Sequence, residues 1–216
     1  MTARTSFVIV GAKASASPDF RLDDLPGTSG RLDVLLRCGR AALCVSHGVR
    51  RDVVVYLVLL GGPAAPRVLR VTGADVRFLR PDERSLATLV KKSLAAPRED
   101  AGFVTVRPGI AVADGGLDAA LDDLGASTLW LLDEGGDDLR DVALDGGPAA
   151  FIVGDHTGLD AATLESLSLR SVRRVRVGPV SVHADDVVAI VTNELDRRAG
   201  FEGRFLDALG AVAFVP

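Results

Sequence analysis

The sequence has no long hydrophobic run and no export signal. Its longest apolar run, Val53–Leu60, is well short of the roughly 18 residues that cross a bilayer, and it has the length of a strand. The N-terminus leads directly into the apolar segment Phe7–Val10 and lacks the apolar region and small-residue cleavage site of a signal peptide. We therefore expect a cytoplasmic protein that does not bind membranes.

Cysteine and histidine are too sparse to form a metal site or a redox pair. The two cysteines, Cys38 and Cys44, are six residues apart, a spacing that fits neither kind of site. The three histidines, His47, His156 and His183, are far apart and form no HExxH motif. We predict no bound metal, and thiols that pack as small apolar groups.

Common nucleotide-binding and nucleophile motifs are also missing. No GxGxxG motif follows a strand, and neither GxxxxGK[ST] nor GxSxG occurs. These absences argue against a dinucleotide fold, a P-loop and a serine hydrolase, and a flavodoxin-like domain would need phosphate-binding loops that are not found. The net charge of −4 argues against a broad basic surface for nucleic acid but allows a local basic patch.

Short apolar runs alternate with amphipathic stretches along the chain. The predicted strands are Phe7–Val10, Val53–Leu60, Val68–Val71, Val76–Leu79, Phe103–Val106, Leu129–Leu132, Phe151–Val153, Val175–Val177 and Ala211–Val215. The predicted helices are Arg31–Ser46, Pro81–Leu94, Leu117–Leu124, Ala161–Leu167 and Asp186–Arg198. The alternation predicts an α/β fold with a mostly parallel sheet and helices on both faces, in a single domain over residues 1–216.

Three predicted strands end in glycine-bearing loops, which begin at Asp133, Gly154 and Gly178. Ligands of open α/β sheets bind at the carboxyl ends of strands, and glycines there let the backbone approach a planar ring. Each glycine alone could simply make a turn. Three such strand ends, two of them with a histidine close behind, favour a binding site.

A charged loop bounded by Pro18 and Gly27 precedes the first long helix and contains Asp23 and Asp24. Arginines follow in the helix and at its exit, at Arg31, Arg37, Arg40, Arg50 and Arg51. The pattern fits a solvated helix with a capped loop, or a surface that contacts phosphates.

These motifs, in this order, resemble the archaeal tRNA pseudouridine N1-methyltransferases. That family belongs to the knotted SPOUT class and is related to the eukaryotic ribosome-biogenesis methyltransferase that modifies pseudouridine. The matching stretches are PDFRLDDLPGTSGRLDVLLRC, VSHGVRRD, YLVLLG, PDERSLATLVKKSL, FIVGDHTG, VGPVSVHAD and VTNELDRR. They are collinear and cover nearly the whole chain.

The resemblance implies a deep trefoil knot over about residues 127–198, a homodimer, and substrate RNA near the joint between subunits. It also implies that S-adenosylmethionine binds in the knot. The implied cofactor-binding residues are Leu132, Gly154, Gly178, Pro179, Val180, Ser181, Val182, His183 and Val187. Val187 stands where many relatives have a cysteine, so it keeps the apolar packing and removes the thiol.

The implied reaction is methyl transfer to N1 of pseudouridine. The base of pseudouridine is attached through carbon, so N1 carries a proton and can act as the nucleophile once it is aligned with the methyl group. A general base could remove that proton, and the candidates are Asp24, Asp23, Asp155 and His47, although the acids could instead be caps or loop acceptors. The candidate RNA contacts are Arg31, Arg37, Arg50 and Arg51.

Two alternatives remain open from the sequence. The substrate could be a free pseudouridine nucleoside or nucleotide instead of tRNA or another structured RNA, and the weak negative charge fits such a small footprint. The chain could also be a cofactor-binding knotted protein that serves as an RNA-binding or assembly factor without turnover.

Overall fold

The computed structural model describes residues 5–144 and 146–211. The elements in chain order are β1 (Thr5–Ser15), α1 (Leu25–Thr28), α2 (Leu32–Leu43), β2 (Cys44–Val45), β3 (Gly48–Val49), β4 (Val53–Gly61), β5 (Arg67–Thr72), α3 (Glu83–Leu94), β6 (Val104–Arg107), β7 (Ile110–Asp114), α4 (Leu117–Asp123), β8 (Thr128–Asp138), β9 (Ala149–Gly154), α5 (Ala161–Ser168), β10 (Val172–Arg176) and α6 (Ala184–Ala211).

Within these described ranges, eight strands form one sheet in the order β10-β8-β9-β1-β4-β5-β7-β6. The five strands from β10 to β4 pair in parallel. Strands β5, β7 and β6 continue the sheet with antiparallel pairing. The predicted α/β fold with a mostly parallel sheet is confirmed, and the antiparallel edge is an addition to it.

Helices cover both faces of the sheet, as predicted. Phe7 and Ile9 of β1 pack in the core beneath α2, α3 and α6, whereas Val8 and Val10 pack on the opposite face with residues of α4 and α5. Because neighbouring side chains of a strand point to opposite faces, burial of both faces requires an unbroken apolar run. This explains why the central strands are apolar throughout and do not alternate between apolar and polar residues. None of the described helices combines the length and apolarity needed to cross a membrane.

The predicted strand Val76–Leu79 is wrong. The chain turns tightly after β5, and the amide of Val76 donates to the carbonyl of Thr72 at 2.9 Å. Val76 and Leu79 pack against the core from this loop, which accounts for their apolar character without a strand. The missing strand of this region is β7, an apolar run that follows the Pro108–Gly109 turn and lies between β5 and β6.

Other predicted boundaries also differ from the structure: β8 continues to Asp138, β10 begins at Val172, and α6 extends from Ala184 to Ala211. Helix α2 ends at Leu43 instead of Ser46, because the chain then enters the β2–β3 hairpin. Of the predicted strand Ala211–Val215, Ala211 is the last residue of α6 and the rest lies outside the described residues.

Burial raises the pKa of the Cys38 thiol to about 12, so this cysteine is a packing residue.

Helix α4 is attached to the sheet through a polar cluster centred on Asp123. Its carboxylate accepts hydrogen bonds from Tyr56 Oη and Arg70 Nη1, each at 2.7 Å. We expect Asp123→Ala to lower the free energy of unfolding by about 1–3 kcal/mol, because it leaves a buried hydroxyl and a half-buried guanidinium without their acceptor. The matched control is Asp122→Ala, which removes an exposed carboxylate and should change it by less than about 1 kcal/mol. Urea unfolding of both variants is the measurement, and equal losses would contradict the assignment.

Candidate functional site

A cleft of about 1290 Å³ opens at the carboxyl ends of β9 and β10 and beside a bulge within β8 around Glu134. The neighbouring strands β1 and β9 send the chain to opposite faces of the sheet, since α2 follows β1 on one face and α5 follows β9 on the other. Such a reversal leaves a crevice at the carboxyl ends of the strands, where open α/β sheets bind their ligands. The fold itself therefore creates the cleft at this place.

The structure brings most of the residues predicted to bind the cofactor to this cleft. The residues of that set that line it are Leu132, Gly154, Gly178, Val180, Ser181, Val182, His183 and Val187. Pro179 lies in the same loop and is exposed, but it does not line the cleft. Three segments that are distant in sequence thus form one wall. Two of them follow strand ends, as predicted, whereas Asp133 and Glu134 lie in a bulge within β8, which continues to Asp138.

The loops around the cleft are tied to one another by side chains. Ser181 Oγ donates to Glu134 Oε1, which joins the loop after β10 to the one within β8. Arg176 Nη1 donates to the carbonyl of Gly136 at 2.6 Å, and the amide of Val187 donates to the carbonyl of His183 at 2.9 Å where α6 begins. These bonds hold the walls in a defined arrangement.

Two glycines of the cleft serve different purposes. A Cβ on Gly154 would lie 2.6 Å from the carbonyl carbon of Gly158, so only glycine lets the turn fold back this closely. A Cβ on Gly178 would meet nothing within 4 Å, which leaves its backbone open to the cleft.

Asp155 lines the cleft, but its carboxylate is enclosed. One oxygen accepts from the amide of Ala12 at 3.0 Å, and the other accepts from the amide and the hydroxyl of Thr157 at 2.8 and 2.6 Å. The side chain is fully buried. These contacts join the end of β1 to the turn after β9, which favours a positioning role over that of a general base.

Replacing Asp155 tests this positioning role. We expect Asp155→Asn to lower the free energy of unfolding by about 1–3 kcal/mol, because an amide cannot accept from both Ala12 and Thr157 without placing its own NH₂ against a donor. The matched control is Asp160→Asn at the start of α5, where asparagine can still accept from the amide of Thr163. Thermal unfolding of the two variants should differ clearly, and equal behaviour would contradict the role given to Asp155.

The other predicted catalytic residues lie outside the cleft. Asp24 caps α1, where its side chain accepts from the amide of Gly27 at 3.2 Å. Asp23 forms an exposed ion pair with Arg21 at 2.7 Å, and the hydrogen bond from Arg21 is the main cause that lowers the pKa of Asp23. His47 lies exposed in the turn of the β2–β3 hairpin. For the two acids, the capping and loop alternative describes the geometry.

Arg31 and Arg37 do line the cleft, and both are bound to Asp33. Arg31 Nε and Arg37 Nη1 each lie 3.0 Å from a different oxygen of this buried carboxylate. Burial raises the pKa of Asp33 and the hydrogen bonds from the two arginines lower it, with a net downward shift. Arg37 also lies 3.4 Å from Glu83 and 3.8 Å from Asp185, so it connects α2 with the starts of α3 and α6.

Arg50 and Arg51, also predicted to contact RNA, have partners within the chain away from the cleft. Arg50 forms a two-bond ion pair with Asp196 of α6, at 2.8 and 2.6 Å. Arg51 donates to the carbonyl of Ala74 at 3.0 Å. Because both terminal nitrogens of Arg50 donate to Asp196, this ion pair anchors α6 to the segment between β3 and β4.

Sequence reasoning missed the role of the carboxylates around Arg37. The spacing of Asp33 and Arg37 by four residues on a helix was a readable signal for their pair. The contacts with Glu83 and Asp185 had no such signal, because they join separate elements.

The sequence is similar to those of known proteins. The family described as "putative SAM-dependent RNA methyltransferase" matches residues 4–199. The tRNA (pseudouridine(54)-N(1))-methyltransferase of Methanosarcina mazei is 40% identical over 198 residues, which cover 91% of this chain and 92% of that protein. The enzyme of the same name from Halobacterium salinarum is 43% identical over 198 residues, covering 91% of this chain and 97% of that protein.

Among solved structures, Archaeoglobus fulgidus Nep1 bound to S-adenosylhomocysteine has a similar fold. The TM-score is 0.61 at 20% identity, and the match covers 93% of this chain and 100% of that chain. The family match spans most of the chain, and the sequence relatives match over nearly their full length. The chain belongs to this family of SAM-dependent RNA methyltransferases.

Proposed function

We propose that this protein transfers a methyl group from S-adenosylmethionine to N1 of a pseudouridine in tRNA. The observation that carries the proposal is the cleft at the strand ends, which is lined by the GDHTG and GPVSVHAD segments of the sequence. The names of the relatives from Methanosarcina mazei and Halobacterium salinarum support the nucleoside and its position 54.

The residues of the cleft fit S-adenosylmethionine. Leu132, Val182 and Val187 offer apolar contacts, and the open backbone at Gly178 allows a planar ring to approach. Carboxylates at Asp133, Glu134, Asp185 and Asp186 line the same space and suit a positively charged sulfonium. The volume of about 1290 Å³ exceeds the roughly 300–1,000 Å³ of a typical small-molecule site, which leaves room for a nucleobase beside the cofactor.

When bound, S-adenosylmethionine supplies a methyl group on a sulfonium, which is a good electrophile. The contribution of the protein is alignment. Hydrogen bonds of Ser181 with Glu134 and of Arg176 with Gly136 fix the segments that line the cleft, and those of Asp155 fix the turn that follows Gly154. In the proposed transfer, N1 would bond to the methyl carbon as the bond from that carbon to sulfur breaks, S-adenosylhomocysteine would be the leaving group, and the N1 proton would pass to a base at the cleft or to water.

We further propose that residues 127–198 form the deep trefoil knot, within a single domain, and that the protein is a cytoplasmic homodimer. Leu164, Val180 and Val182 are large apolar side chains at the cleft that remain exposed in one chain, which supports their coverage by a second copy. Asp23, Asp24 and His47 take part in catalysis only if this second copy brings them to the cleft. We also propose that Arg51 contacts the substrate RNA.

The experiment that tests the function uses purified protein, S-adenosylmethionine and three substrates. These are a tRNA transcript with pseudouridine at position 54, the same transcript with uridine there, and free pseudouridine. We expect N1-methylpseudouridine from the first substrate and no product from the second. Product from free pseudouridine but not from the RNA would replace the substrate with the nucleoside. Cofactor binding by calorimetry without turnover on any pseudouridine substrate would favour the assembly-factor alternative and contradict the proposal.

A further inference from the structure

The loop between β5 and α3 exposes an aromatic side chain in a backbone conformation that such residues rarely adopt. Phe78 is 79% exposed, and its φ angle is 60°, in the left-handed region. A bulky residue there is strained, and strain of this kind concentrates at functional sites. Its neighbours Val76 and Leu79 turn inward and pack against the core. The loop therefore holds the ring of Phe78 in water while it buries the apolar residues on either side.

Three arginines surround this ring in the sequence and are exposed with it: Arg77, Arg80 and Arg84. In the part of the chain that the structure describes, no carboxylate lies within 4.0 Å of their guanidinium groups. The main cause that lowers the pKa of Asp23 is the hydrogen bond from Arg21, and the charge of Arg84 lowers it further. By contrast, Arg31, Arg37 and Arg50 are held by carboxylates of the chain itself.

The loop begins at the edge of the sheet opposite the cleft, because β5 runs antiparallel to β4, and it leads to the start of α3. Glu83, five residues after Phe78, accepts from Arg37, and Arg37 lines the cleft. Five residues of chain span at most about 18 Å, so the Cα of Phe78 lies within that distance of the Cα of Glu83. An RNA that reaches into the cleft and extends along the start of α3 can therefore also touch the loop.

We propose that Phe78 stacks on an unpaired base of the substrate RNA while Arg77, Arg80 and Arg84 contact its phosphates. Aromatic rings on protein surfaces bind splayed-out bases of RNA loops by stacking, and arginines hold the backbone in register. A ring alone would suit many apolar partners, but a ring among arginines that form no ion pair within 4.0 Å in the described residues matches a base within a phosphate chain. The subsite rests on the proposed function, because its occupant is the RNA that carries the target pseudouridine.

The test measures RNA binding apart from methylation. The probe is a fluorescently labelled tRNA T-arm stem-loop with uridine at the target position, which is bound by the full chain without forming product. We expect Phe78→Ala and Phe78→Leu to weaken binding by about five- to thirtyfold, as loss of one stacked base does. Phe78→Trp should restore it, because the ring is replaced by another. Alanine, leucine and tryptophan all keep a Cβ, so every variant retains the close approach of Cβ to the following carbonyl that a positive φ imposes.

Salt dependence separates stacking from phosphate contacts. Arg77→Gln or Arg80→Gln should reduce the slope of log affinity against log salt by about 0.7–0.9 for each lost contact, whereas Phe78→Ala should leave it unchanged. The matched control is Leu169→Ala, which removes an apolar side chain that is 84% exposed and does not line the cleft. It should bind like the wild type.

Several results would overturn the subsite. Phe78→Leu binding as tightly as the wild type would show that no stacking occurs, and Phe78→Ala behaving like the Leu169 control would show no contact. A change in oligomeric state on Phe78→Ala, measured by sedimentation, would assign the ring to a second copy of the chain. The two proposals also fail separately: methylation with unchanged RNA binding in all variants removes only the subsite, and the expected binding losses without methylation by the wild type remove only the proposed function.

Discussion

Replacing Gly154 with alanine is expected to weaken binding of S-adenosylmethionine by about ten- to a hundredfold. The added Cβ would lie 2.6 Å from the carbonyl carbon of Gly158 and 2.9 Å from its Cα and oxygen. Backbone atoms cannot rotate away, so the turn itself must shift, and overpacking of this kind costs about 1–3 kcal/mol. Gly154 lines the cleft, so that shift moves one of its walls. Isothermal titration calorimetry with S-adenosylmethionine measures the loss.

Two other glycines provide controls for this prediction. Gly147→Ala places a methyl group where nothing lies within 4 Å and away from the cleft, and it should change neither the affinity nor the melting temperature. Gly178→Ala also meets nothing within 4 Å, but its methyl group enters the cleft, so it should lower the affinity without lowering the melting temperature. If Gly154→Ala bound the cofactor as tightly as the wild type, the turn after β9 would have no part in binding.

Replacing Asp33 with alanine is expected to lower the free energy of unfolding by about 2–3 kcal/mol. Asp33 is 2% exposed and is the shared partner of Arg31 and Arg37. Removing one partner of a buried pair leaves the other charge without compensation, and the partial solvation of the arginines keeps the loss below that of a fully buried pair. The freed Arg37 would also hold the starts of α3 and α6 less firmly, so a weaker cofactor affinity should accompany the loss. Urea unfolding and calorimetry measure the two effects.

The control for Asp33 is Asp118→Ala, which removes an exposed carboxylate that pairs with Arg170. We expect this variant to lose less than about 1 kcal/mol and to keep its cofactor affinity. Equal losses of unfolding free energy in the two variants would show that the ion pairs of Asp33 stabilise the fold no more than an exposed ion pair does.

The pH dependence of stability should carry the signature of Asp33. Its pKa is lowered in the folded chain, so its contribution is fully present above the unfolded-state pKa of about 3.9 and is lost as the pH falls through the lower folded-state value. The stability difference between the wild type and Asp33→Asn should therefore shrink on acidification below about pH 4 and stay constant near neutrality. A difference that grew on acidification would contradict the assignment.

The parallel half of the fold could be predicted from the sequence because burial on both faces leaves a clear pattern. Strands such as Val53–Gly61 are continuous apolar runs. The antiparallel edge was less predictable, because the run Val76–Leu79 is apolar through packing from a loop. Periodicity alone cannot distinguish such a loop from a short strand.

The cleft could be predicted more fully than the residues that act in it. Glycines after three predicted strands mark the cleft, because the ends of β9 and β10 and the bulge within β8 lie at one edge of the sheet. The roles of charged residues depend on partners that are far away in sequence, as with Arg37 and Glu83, which are 46 positions apart, or Arg50 and Asp196. A charged side chain bound within the fold and one available to RNA look the same in the sequence. The exposure of Phe78 could not be predicted for a related reason: its apolar neighbours suggested a strand.

The most direct measurement of the proposed reaction follows the methyl group itself. The protein is incubated with S-adenosylmethionine carrying a deuterated methyl group and with a tRNA that contains pseudouridine at position 54, and the digested nucleosides are analysed by tandem mass spectrometry. We predict that the label appears on N1 of pseudouridine, that the uridine-containing tRNA stays unlabelled, and that Gly154→Ala gives far less product at the same cofactor concentration. A label on a carbon of the base or on the ribose, or no label despite cofactor binding, would contradict the proposed function.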